Sequence, residues 1–111
     1  MNFDETTEFT KEFKQLAKKY SSLPVDLEKF KKALPQIDIK NSKKNFTVLK
    51  ETNCVMVVKA RLRVRCLKGV PKARVIFILQ IAKDSVNFIE IYMKNDKARE
   101  DEARINSYLE N

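Results

Sequence analysis

Residues 55–66 read Val55-Met56-Val57-Val58-Lys59-Ala60-Arg61-Leu62-Arg63-Val64-Arg65-Cys66. From Val58 onward the apolar positions Val58, Ala60, Leu62, Val64 and Cys66 alternate with Lys59, Arg61, Arg63 and Arg65, the two-residue period of a half-buried strand. One face is apolar and the other is a row of four cations. Twelve residues is long for a strand, so a bulge is predicted near Asn53 or Val55.

The neighbouring segments place this strand in a sheet. Phe46-Thr47-Val48-Leu49 precedes it as a shorter β candidate, and Leu67-Lys68-Gly69-Val70-Pro71-Lys72 follows it as a loop turned by Gly69 and Pro71. Ala73 to Ala82 is apolar at both parities, with Val75, Phe77, Leu79 and Ile81 on one side and Ile76 and Ile78 on the other. That pattern suits a central strand buried on both faces. Lys83-Asp84-Ser85 reads as a turn and Val86 to Met93 as the last strand.

Helices flank the strands. Thr7 is the predicted cap of a helix carrying Phe9, Phe13, Leu16, Ala17 and Tyr20 on one face. Ser21-Ser22-Leu23-Pro24 breaks the chain, Leu27, Phe30 and Leu34 continue the apolar stripe, and Pro35 ends it. Gln36 to Asn45 is a polar loop exposing Lys40, Lys43 and Lys44. Beyond the strands, Asp96 is the predicted cap of a terminal helix with Ala98, Ile105, Tyr108 and Leu109. Strands grouped in sequence with helices outside them predict an α+β domain spanning 1–111: an N-terminal helical hairpin on a small antiparallel sheet, with a C-terminal helix. The 111 residues suit one domain.

The net charge of +8 is unevenly spread. Residues 40–74 hold eleven bases and one acid, Glu51, while the flanks are close to balanced. In an extended strand Lys59, Arg61, Arg63 and Arg65 stand about 6.6–6.8 Å apart. Arg74 opens the next strand, and Lys68 and Lys72 lie on the intervening loop, so a hairpin would bring seven cations to one end of the sheet. A solvated basic face is the plain alternative. Arginine dominates the row, however, and its planar fork is suited to holding a phosphate or carboxylate in a fixed orientation. The expected partner is a polyanion, with nucleic acid ahead of an acidic protein.

Composition also excludes classes of chemistry. Without histidine there is no imidazole base for a serine or cysteine nucleophile and no histidine metal site. Cys54 and Cys66 are too few for a thiolate zinc cage and read as two small buried thiols. One glycine, Gly69, excludes both the P-loop and the dinucleotide fingerprint. Neither a cofactor nor a metal is therefore expected. The longest apolar run, Val75 to Leu79, is too short to cross a bilayer, and the acidic start, Met1-Asn2-Phe3-Asp4-Glu5, is unlike a signal or transit peptide. A cytoplasmic location without membrane contact is expected.

The stretch from Phe9 to Phe30, together with Lys59-Ala60-Arg61, Leu67-Lys68-Gly69, Arg74-Val75-Ile76 and Phe88-Ile89-Glu90-Ile91-Tyr92-Met93-Lys94-Asn95-Asp96-Lys97, resembles RelE/ParE-superfamily toxins of type II toxin–antitoxin modules. RelE-like members cut mRNA in the ribosomal A site without a metal, by attack of a ribose 2′-hydroxyl on the adjacent phosphodiester; ParE-like members poison DNA gyrase. The resemblance implies that Arg74 steadies the phosphate and that Lys59 and Arg61 are the paired cations of the preceding strand. Lys59 is also a candidate proton acceptor, on the argument that arginines crowd it. Where the family often carries a catalytic tyrosine or histidine, this chain reads Lys97-Ala98-Arg99-Glu100-Asp101-Glu102, and Tyr92 is the candidate substitute.

The expected catalytic set is therefore Lys59, Arg61, Arg74 and Tyr92. Arg63, Arg65, Lys68, Lys72, Lys94 and Lys97 are the expected phosphate contacts. The implied partners are an acidic antitoxin, the ribosome and mRNA. The alternatives are a family member that acts by binding alone, as a gyrase inhibitor or a degenerate toxin, and a basic RNA-binding module outside the family.

Overall fold

A computed structural model describes residues 1–110. The chain order is β1 (Asn2–Glu5), α1 (Thr7–Lys19), α2 (Leu23–Ala33), β2 (Phe46–Glu51), β3 (Val55–Leu62), β4 (Ala73–Gln80), β5 (Ser85–Met93) and α3 (Glu102–Glu110). Two short 3-10 turns, Leu34–Gln36 and Ile39–Asn41, connect α2 to β2. The five strands form one sheet in the order β1-β5-β4-β3-β2.

This corrects the expected architecture of an N-terminal helical hairpin on a small antiparallel sheet. The chain begins with a strand, not a helix, and β1 pairs parallel to β5, with Asn2 opposite Ser85 and Glu5 opposite Phe88. The sheet is therefore mixed: β2 through β5 are antiparallel neighbours, and β1 closes one edge in the parallel sense. Only Phe3 of the β1 residues is apolar, and its ring stacks on Phe88 with centroids 6.0 Å apart. One apolar side chain cannot show a period, which is why the segment reads as no element from sequence.

Helices α1 and α2 cover one face. Phe9, Leu23, Leu27 and Leu34 pack there against Val58, Ala60 and Leu62 of β3, Val75 and Phe77 of β4, and Phe88 and Ile91 of β5. The cap of α1 is Thr6, one residue earlier than expected, and its hydroxyl accepts the Phe9 N–H at 3.2 Å. Thr6→Ala is expected to cost about 1 kcal/mol, read as a lower urea midpoint at unchanged slope.

The second face is half covered. Helix α3 lays Ile105 and Tyr108 over Val57, Ile76, Ile78 and Ile89. Its cap is Asp101, whose Oδ1 accepts the Arg104 N–H at 3.0 Å, five residues after the expected Asp96. Arg104 ties α3 to α1 by a bidentate pair with Glu12, at 2.9 and 3.0 Å. The helix stops short of the β3–β4 hairpin end, and residues 94–101 run there as a non-helical strap.

Two register irregularities decide what points toward that open end. Neither lies at Asn53 or Val55. In β2, Val48 pairs with Val58 and Lys50 with Val57, so Leu49 is the extra residue. In β5, Phe88 pairs with Phe77 and Glu90 with Ile76, so Ile89 is extra. Such a bulge sends two successive side chains to one face. Ile89 thus packs under α3 while Glu90, fully buried, lies on the same side, beside the row of Lys59 and Ile76.

Candidate functional site

Beyond the reach of α3, the second face of the sheet opens into a cleft of about 240 Å³ lined by Lys43, Lys44, Asn45, Thr47, Lys59, Arg61, Arg74, Tyr92, Lys94 and Ala98. Strand register explains why these meet. Arg61 of β3 stands opposite Arg74 of β4, which stands opposite Tyr92 of β5, and one step along the sheet Thr47 stands opposite Lys59. The Arg61 N–H donates to the Asn45 carbonyl at 2.9 Å, which brings the Lys43–Asn45 loop to the rim.

All four expected catalytic residues, with Lys94, line this one cleft. Two arginines directly opposite on adjacent strands repel, since Cβ atoms so placed are only about 4.5–5.5 Å apart. Arg74 is 8% exposed and has no carboxylate partner among the described residues. Its Nη1 donates instead to the carbonyls of Pro71 and Ala73, both at 3.1 Å, which fixes the guanidinium without neutralising it. Burial, and then the facing Arg61, lower the Arg74 guanidinium from its ordinary value, against a smaller opposite effect of Tyr92. Both features work against stability, as a purely structural sheet would avoid.

Tyr92 is 6% exposed. Burial, followed by the negative charges of Glu100 and Glu90, pushes its phenol up to about 12, with Arg74 pulling the other way. At neutral pH it is therefore a protonated hydroxyl, able to donate. Lys97 lies over its ring, with the ammonium 5.2 Å from the centroid.

Lys59 is not crowded by cations alone. Its Nζ pairs with Oε1 of Glu100 at 2.9 Å, with both side chains partly buried. Burial acts to raise the Glu100 carboxyl, but the Lys59 hydrogen bond and the backbone N–H of Glu100 outweigh it and hold the group below the ordinary carboxylate range. Glu100 carries no local signal in the sequence. It lies 41 residues beyond Lys59 on an irregular strap, and no periodicity links the two.

The remaining expected phosphate contacts are dispersed. The row of four cations is cut short because β3 ends at Leu62: Val64 still enters the core, but the chain turns at Arg65. Arg65 faces the helical layer, where its Nε lies 3.6 Å from the buried Asp26 and its N–H donates to that carboxylate at 3.0 Å. Arg63 and Lys68 are exposed beyond the strand end, and the half-buried Lys72 offers its carbonyl to the Lys94 N–H at 2.8 Å. Lys97 pairs with the fully buried Glu90, whose other oxygen accepts the Asp101 N–H at 2.8 Å. That pair anchors the strap. Lys43, Lys44 and Thr47 line the cleft as well, the two lysines being marked in the sequence only as exposed loop charges. Cys54 and Cys66 lie outside it and are both exposed rather than buried.

Among the described residues no three Cys, Asp or Glu side chains gather as they would to hold a metal ion, and no helix is long and apolar enough to cross a membrane. Comparison with protein-family models, with curated proteins and with solved structures finds no match.

Proposed function

We propose that the protein is a RelE-like toxin that inhibits translation by cutting mRNA on the ribosome, through attack of a ribose 2′-hydroxyl on the neighbouring phosphodiester. The observation that carries the reading is the facing pair of Arg61 and Arg74 in a cleft also lined by Lys59 and Tyr92, with the Arg74 guanidinium fixed by two carbonyls and no carboxylate paired with either arginine among the described residues. Two planar forks side by side suit the non-bridging oxygens of a phosphodiester and the extra negative charge that the pentacoordinate phosphorane develops. Tyr92 retains its proton at neutral pH and supplies a donor for the departing 5′-oxygen.

Lys43, Lys44 and Lys94 at the rim extend the positive field along the track of a single strand. The same field would hold an acidic antitoxin when RNA is absent. The proposed location is the cytoplasm, where message is translated.

The chemistry is tested with ribosomes programmed by a short mRNA. The expected products carry a 2′,3′-cyclic phosphate and a 5′-hydroxyl, and a single 2′-deoxynucleotide at the scissile position abolishes cutting. Equal cutting of the deoxy-substituted message would contradict 2′-hydroxyl attack.

A further inference from the structure

The proposed reaction has a phosphate clamp and a proton donor, and it also requires a group to take the 2′-hydroxyl proton. We propose that Glu100 is this group and that Lys59 orients it. The inference rests on the phosphodiester-cleaving reading above and deepens it.

Lys59 and Glu100 form a 2.9 Å ion pair in which the ammonium donates and the carboxylate accepts. An ammonium has no lone pair, so within this pair only the carboxylate can receive a proton. Lys59 occupies Oε1, and no other side chain among the described residues donates to Glu100, whose side chain keeps 17% exposure. The backbone beside it is fixed, because the Asp101 N–H donates to the fully buried Glu90 at 2.8 Å. Lys59 and Ala98 line the cationic cleft, so Glu100, paired with the first and two residues beyond the second, is a carboxylate ionised at neutral pH at its border, with Tyr92 close enough to feel its charge. It contributes nothing to either apolar cluster.

The step balances without a co-reactant. Glu100 takes the proton of the 2′-hydroxyl as the O2′–P bond forms. Arg61, Arg74 and the Lys59 ammonium stabilise the phosphorane charge. The P–O5′ bond then breaks with its electron pair on the 5′-oxygen, which takes the phenolic proton of Tyr92. Glu100 returns its proton to solvent, and the tyrosinate regains one.

A different role for the same carboxylate is an internal plug, a stand-in for phosphate that RNA must displace from Lys59. The two roles predict opposite results. Wild-type protein, Glu100→Gln and Glu100→Asp are compared for single-turnover cutting of ribosome-bound mRNA and for binding of a non-cleavable 2′-deoxy-substituted message. As the proton acceptor, Glu100→Gln cuts about 10²–10⁴-fold more slowly yet binds at least as tightly, and Glu100→Asp retains part of the rate. Retained binding shows that the variant is folded. Cutting by Glu100→Gln at the wild-type rate or faster would overturn the proposal and leave the plug, with the endonuclease reading intact. Failure of the wild-type protein itself to cut would overturn both.

Discussion

Arg74→Ala is expected to cut ribosome-bound message about 10²–10³-fold more slowly than wild type, the loss typical of removing one donor that faces charge developing in a transition state. Stability should move little, or rise, because the substitution relieves the repulsion between Arg74 and the facing Arg61. The carbonyls of Pro71 and Ala73 lose their donor, the second in a buried setting, and this offsets part of that relief. Arg74→Lys should recover little, since an ammonium keeps the charge but loses the fork. Single-turnover rates and thermal midpoints measured on the same preparations separate the two effects. Wild-type cutting by Arg74→Ala would remove Arg74 from the phosphate and, with it, the main support for the site.

The largest expected effect on stability is at Lys97. Lys97→Met leaves Glu90 fully buried with only the Asp101 N–H as a partner, and stripping one member from a buried ion pair costs about 3–5 kcal/mol. Lys97 keeps 39% of its side chain in solvent, so the lower end of about 3 kcal/mol is the expected loss. Adding Glu90→Gln removes the orphaned charge and should restore at least half of it, a coupling that a double-mutant cycle in urea reads directly. An unchanged midpoint in Lys97→Met would show that the Glu90 carboxylate draws no stability from this pair. Cutting should fall as well, because the strap carries Glu100.

The β3–β4 hairpin was legible because its signals are local. Lys59 and Arg61 alternate with Ala60 and Leu62, Gly69 and Pro71 mark the loop, and Val75 to Ile78 is apolar at both parities; together these bring Arg61 and Arg74 to one end of the sheet, where the register sets them opposite each other. The apolar faces of α1 and α2 follow in the same way from helical spacing. What was not legible depends on partners far away in sequence. Strand β1 has one apolar residue and is held by pairing with β5 more than eighty residues later. Alternation continues through Arg63 and Arg65, yet the strand ends at Leu62, and the buried Asp26 holds Arg65 on the helical side. The bulge at Ile89, which has no sequence signal of its own, turns Glu90 to the second face, where Lys97 pairs with it instead of standing free as a phosphate contact. Glu100 lies on a strap with neither period, and only the tertiary contact with Lys59 marks it.

The central claim, that this cleft cuts message during translation, is tested most directly by adding the purified protein to a cell-free translation reaction and mapping mRNA 5′ ends by primer extension. The expected result is new ends within translated codons that appear only when ribosomes are engaged and vanish when initiation is blocked. Intact message, with translation running at its normal rate, would contradict it.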